Sequence, residues 1–224
     1  MKGLEILKGL VMTANIEEAI NHAAHLGARL EHLVYNKSQE GKLVFVGKDD
    51  DLLMAYWSLV FDYNKGVGCL LHNEFYSAAF ALLRPTVEAV VRAGVVLAGT
   101  PEDVQKIRKD NYAVNFKKDG AWIDKALDSG TLMDDFLKGT RELLHSLTHS
   151  GAAQLGMRFD GDEIGAFVSD IQLAALLGAT SGAAFLMTIV VAKHFNFGDV
   201  ANDANKLFWE YGQQSIASAG EKLP

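Results

Sequence analysis

The chain has 224 residues, 49% of them hydrophobic, with a formal net charge of −7. This length and apolar content suffice for a real core in one large domain or two small ones, and they exclude general disorder. Asp and Glu outnumber Lys and Arg by 28 to 21 and no long basic run occurs, which argues against a dedicated duplex-DNA binder while leaving room for a local basic site.

The chain opens Met1-Lys2-Gly3-Leu4, but Glu5 and Lys8 interrupt any apolar stretch, so no signal peptide is expected. A short helix is expected over residues 3–12. Asn15-Ile16-Glu17-Glu18 has the form of a capping box and predicts an amphipathic helix through about Tyr35. Residues 38–47 form a turn-rich connector. Its Lys42-Leu43-Val44-Phe45-Val46 run is strand-like, yet a lone strand has no partner in a helical chain. It is expected to lie extended on the bundle or to pair across a dimer. Residues 1–48 thus read as an N-terminal helical and extended extension, 49–216 as the bundle core, and 217–224 as a tail.

Asp49-Asp50-Asp51 places negative charge at a helix start, where the dipole favours it over a metal role. That helix is expected to run to about Leu71, with Gly66 and Gly68 marking close packing. The single cysteine, Cys69, cannot form an internal disulfide and reads as a buried reduced thiol, in keeping with a cytoplasmic protein. The next helix is expected from Asn73 to Ala98, capped by Gly99. Pro85 inside it removes a hydrogen bond to the Ala81 carbonyl and predicts a kink beside Arg84. Thr100-Pro101-Glu102-Asp103 starts a short polar helix. Trp122 to Leu127 forms another. Thr131 and Asp134 then cap a helix that carries Arg141, His145 and His149.

Residues 151–165 are glycine-rich and read as a loop. From Ile171 to Ala192 no residue is charged, a run long enough to span a bilayer. Gln172, Thr180, Ser181 and Thr188, with no basic flank beyond Lys193, favour the central helix of a soluble bundle instead. A last helix runs from Gly198 to about Gln214. The expected fold is all-α: a single bundle of about five long helices with a few short ones.

Two polar stripes stand out. Arg84, Glu88 and Arg92 recur at i, i+4 and i+8, and so do Arg141, His145 and His149, so each set lies on one helical face. Charges within apolar runs are costly unless paired. The stripes are expected to be each other's partners in a buried network, or to line one site. His145 and His149 have zinc-chelating spacing, with Glu88 as a conceivable third ligand, but Ser146 stands where a metalloprotease helix has its glutamate. Hydrogen-bonded packing histidines are the better reading, and no metal or cofactor is expected. Neither Ser/His/Asp nor Cys/His catalysis has support, and no glycine-rich phosphate loop follows a strand.

Arg141 followed by histidines resembles the helical ribonucleases of the HEPN class, in which an arginine binds phosphate and a histidine assists the 2′-hydroxyl. Gaps of three residues to His145 and seven to His149 depart from the usual four to six, and Glu142 replaces the usual polar neighbour. A second likeness covers about Asp51 to His194. Arg84-Pro85-Thr86-Val87-Glu88, with the later Thr148-His149-Ser150-Gly151-Ala152-Ala153-Gln154, resembles an uncharacterised bacterial all-helical family, a domain of unknown function. Its members pair an Arg-Pro-x-x-Glu helix with a Thr-His-x-Gly-x-x-Gln motif. That resemblance implies a soluble bacterial protein whose candidate site is Arg84, Glu88, Arg92, Thr148, His149 and Gln154. It also raises a defence-associated role, because related families occur near antiphage genes.

The resulting expectation is a homodimeric helical bundle with a buried Arg/Glu/His/Gln cluster, acting as an accessory or effector in phage defence. An alternative is a metal-independent ribonuclease that uses His149, Arg84, Glu88 and Arg141. Arg92, Thr148, Gln154 and His145 would then contact the ligand. A second alternative is a non-catalytic interaction module. The expected partners are a second copy and RNA or a small anionic ligand, without duplex DNA or a membrane.

Overall fold

A computed structural model describes residues 16–147, 159–160, 163–164 and 168–220. Nine helices form in chain order among them: α1 (Ile16–Gln39), α2 (Asp50–His72), α3 (Tyr76–Ala81), α4 (Leu83–Ala98), α5 (Pro101–Arg108), α6 (Phe116–Leu127), α7 (Leu132–Leu147), α8 (Asp170–His194) and α9 (Gly198–Gly220). Between α7 and α8, β1 (Phe159–Asp160) and β2 (Glu163–Ile164) pair antiparallel, Phe159 opposite Ile164. The all-helical expectation holds, with six helices of 16 residues or more rather than about five.

The charge-free segment is α8, and it is the axis of the bundle. It opens on a capping box between Ser169 and Gln172. It is the one described helix long and apolar enough to cross a membrane, and 94% of its most apolar window is buried inside the protein. Helices α1, α2, α4 and α9 pack directly on it, and α7 touches it too. The stripe Ala19, Ile20, Ala23, Leu26, Leu30 and Val34 buries α1 in this core. The helix expected in an N-terminal extension is therefore a core element. Residues 1–15, including the expected helix over 3–12 and the Asn15 cap, lie outside the described residues.

The expected kink beside Pro85 is a one-residue break: Leu82 leaves the helical hydrogen-bond ladder while its backbone keeps right-handed helical angles (φ −76°, ψ −16°). The helix breaks at Leu82, giving the one-and-a-half-turn α3 and then α4, in whose first turn Pro85 sits. A proline there costs no intrahelical bond, since the first-turn N–H groups have no partner within the helix. Thr86 closes the junction: its N–H and its hydroxyl both donate to the Leu82 carbonyl, at 3.1 and 2.6 Å. Helix α6 lies close against α4 because Gly94 has no side chain. A Cβ there would lie 2.4 Å from Ile123 Cδ1.

Cys69 is exposed on α2 rather than buried. Its apolar sequence neighbours Leu70 and Leu71 point to other faces of the helix. The α6–α7 turn is built around the buried carboxylate of Asp124. It accepts from Met133 N at 2.8 Å, Asp134 N at 2.9 Å and Ser129 Oγ at 2.7 Å, and so caps α7 from the preceding helix. Asp124→Ala orphans these donors and should lower unfolding free energy by about 2 kcal/mol, read from urea denaturation, with Asp124→Asn intermediate.

Candidate functional site

The Arg84/Glu88/Arg92 stripe lies on the outer face of α4, whose opposite face (Leu83, Val87, Val90, Val91) is in the core. Arg84 Nε donates to Glu88 Oε1 at 2.8 Å, an i, i+4 pair with the arginine nearly half exposed. Arg92 turns away from Glu88. Its Nη1 donates to Asp110 Oδ1, 3.0 Å away just past the end of α5, and Tyr56 of α2 adds to the field that favours its charge. Partial burial disfavours the Arg92 charge, but these two partners outweigh it and hold the guanidinium more firmly cationic than usual. The stripe is therefore half-buried, and its arginines have separate acidic partners rather than sharing Glu88.

Arg141 is on the exposed face of α7, and α7 packs on α6 and α8. It does not stand alone. An open cleft of about 710 Å³ between α6 and α7 is lined by Asn115, Phe116, Lys117, Ala121, Asp134, Leu137, Lys138 and Arg141. Asp134 is the one acid in this lining, and it is engaged by Lys138 at 2.6 Å. That pairing pushes the Lys138 ammonium above its ordinary value. The cleft thus has three cations, one carboxylate already spent on one of them, and a half-buried phenyl ring. Such an arrangement can hold a phosphate or carboxylate against an apolar wall. Lys118, on the same helix, sits 3.9 Å over the Trp122 ring.

The backbone of α7 carries His145 one turn beyond Arg141. Thr148, His149 and Gln154 lie outside the described residues, as does the glycine-rich stretch that follows them apart from β1 and β2. Arg84 and Arg141 are on helices that both pack against α6 and α8. Among the described residues no group of three or more His, Cys, Asp or Glu is placed to hold a metal ion.

Sequence reasoning missed a polar knot at one end of the bundle, where α1 ends, α2 begins and α8 turns into α9. Asp50, read as a helix-dipole charge, is buried. Its Oδ2 accepts from Val46 N at 2.9 Å and Gly47 N at 2.7 Å, and its Oδ1 accepts from His194 Nε2 at 2.7 Å. The flanking Asp49 and Asp51 both bind Arg108 of α5, at 3.0 and 2.8 Å. Lys37 at the end of α1 bonds Asp199 at the start of α9 and lies over the Phe197 ring. A histidine at a helix C-terminus and an aspartate at a helix N-terminus are the local signals. Nothing local shows that they meet.

Comparison of the chain with protein-family models, with curated proteins and with solved structures finds no match.

Burial pushes the Asp50 carboxyl up, but hydrogen bonds from His194, Gly47 and Val46 outweigh it, so its pKa lies below the usual carboxylate range. The unfolded chain, with an ordinary value of about 4, therefore takes up this proton first. The stabilisation is complete above that value and is lost as pH falls through the folded-state value. Asp50→Asn should show a smaller drop in urea midpoint between about pH 6 and about pH 3 than the wild type. An unchanged pH dependence would mean that other carboxylates set acid stability.

Proposed function

We propose that this chain is a helical-bundle binding protein that takes an anionic ligand, RNA or a small phosphate-bearing molecule, in the α6–α7 cleft at Arg141. The supporting observation is the charge pattern of that cleft. Lys117, Lys138 and Arg141 converge on one concavity whose single acid is already paired, in a chain that is acidic as a whole. Phe116 adds an aromatic surface of the kind on which a base stacks. An accessory or effector role in phage defence rests on the family resemblance alone.

Ribonuclease chemistry uses the same elements in a different way, with Arg141 on phosphate and His149 as the acid or base. The two readings separate in one experiment. Fluorescence anisotropy with a labelled single-stranded RNA oligonucleotide, competed by inorganic phosphate, should show salt-sensitive binding. Arg141→Ala should weaken it at least tenfold, the scale of one charge-assisted contact. Lys109→Ala, a surface lysine on another face, should leave it unchanged. RNA cleavage abolished in His149→Ala would replace binding by catalysis. Absence of binding at low salt would refute both.

A further inference from the structure

Among the described residues, seven large hydrophobic side chains are exposed, and four of them (Tyr35, Val44, Phe45 and Val46) fall within one short stretch at the polar-knot end of the bundle. Val46 is 87% exposed. Single exposed apolar residues need no explanation, whereas a contiguous group does.

This group is held rigidly. Lys42 N and Leu43 N both donate to the Lys37 carbonyl, and Val46 N and Gly47 N both donate to the buried Asp50 carboxylate. The His194 ring locks that carboxylate from the other side. The loop is thus pinned before and after Val44 and Phe45, and its apolar tip is preorganised to face outward.

Beside this prong lies a hollow of matching character. From Phe45 an aromatic track runs through Phe195 (6.4 Å between ring centroids) to Phe197 (5.8 Å). Phe197 lines a cleft of about 520 Å³ where the α6–α7 turn meets the α8–α9 turn. Leu127, Leu132, Ile189 and Ala201 supply further apolar lining, and Asp128 and Lys193 bring one charge of each sign. Glu40, Lys42 and Lys48 flank the prong, with Lys42 paired to Glu40 at 2.7 Å, so both signs are present there too.

We propose that a second copy of this chain occupies this surface, with the Val44–Val46 prong of each copy seated in the other's cleft about a two-fold axis. A knob and a hole side by side on one face form a self-complementary patch, which is what an isologous dimer requires. The mixed charges around each allow opposite signs to meet. A membrane is a poorer occupant on two counts. The chain carries a net −7, and the Val44 and Phe45 N–H groups have no hydrogen bond among the described residues, so insertion into hydrocarbon would leave them unpaired. The proposal is independent of the anion-binding reading, since the Arg141 cleft lies elsewhere.

Sedimentation equilibrium of the full chain over the micromolar range should show a dimer. Val46→Asp, at a site 87% exposed, should raise the dimer dissociation constant at least tenfold while the far-ultraviolet circular dichroism spectrum stays unchanged. As a second readout, Cys69→Ser/Val46→Cys mixed with Cys69→Ser/Asn205→Cys, which places the second thiol in the cleft lining, should form a disulfide-linked pair under mild oxidation. A monomeric wild type, a dimer indifferent to Val46→Asp, or the absence of that cross-link would overturn the proposal. So would flotation of a monomeric wild type with phosphatidylcholine/phosphatidylserine vesicles, which would assign the prong to a lipid surface.

Discussion

The structure is organised by one constraint: a central helix with no polar face. Helix α8 carries no charge from Ile171 to Ala192, and its interior residues are buried all round. At about 25 cal/mol per Å² of apolar surface removed from water, surrounding such a helix is the largest available stabilisation, and α1, α2, α4 and α9 are arranged to achieve it. Two of its three buried hydroxyls find partners within the helix itself. Thr180 and Thr188 do this by donating to the carbonyls of Leu176 and Ala184, one turn back. Most titratable groups lie on the outer faces of the surrounding helices and at the two ends of α8; the buried Tyr211 phenol of α9, pushed up to about 12 by burial, is an exception. The candidate sites lie in those places.

At the ends, buried carboxylates do the work that tertiary contacts cannot. Asp50, Asp119 and Asp124 are each buried, and each gathers donors from a chain reversal. Asp50 holds Val46 N, Gly47 N and His194, and Asp124 holds Ser129, Met133 N and Asp134 N. Asp119 holds the Tyr112 hydroxyl and Asn115 N, and its proximity, after burial itself, pushes the Tyr112 phenol far above its ordinary value. An ionised carboxylate buried alone is prohibitively costly. Two or three donors converging on each one make it tolerable and, in the same act, fix a loop. This is why the turns bordering both clefts are defined in shape despite their short, irregular sequences.

Helix existence was legible because it is local. The apolar period of α1, the Thr100/Asp103 capping box with Pro101 at the first helical position, and the uncharged run of α8 are each contained within a few consecutive turns. The pairing of charges was not legible, because it is not local. Asp50 and His194 are 144 residues apart, and Lys37 and Asp199 are 162 apart. A stripe at i, i+4 and i+8 says which side chains share a face and nothing about what stands opposite. Glu88 pairs with Arg84 of its own stripe and not with Arg92. Asp110, which is adjacent to no stripe in the sequence, is the partner of Arg92. The same limit explains Arg141: its companions Lys117 and Lys138 come partly from a different helix, and only packing of α6 on α7 places them together.

The acidic total and the basic cleft act over different distances. Charges separated by more than about 8 Å are largely screened at physiological ionic strength. A ligand inside the α6–α7 cleft therefore feels Lys117, Lys138 and Arg141 far more than the remaining surface. A long polyanion lying across the protein feels the net −7 as well. The balance favours a short or flexible anion that presents one or two phosphates to the cleft, with the rest turned to solvent or along α7. It disfavours a rigid duplex, whose affinity depends on neutralising many phosphates at once. On the proposed reading, selectivity would follow from where the few cations sit, not from how many the chain possesses.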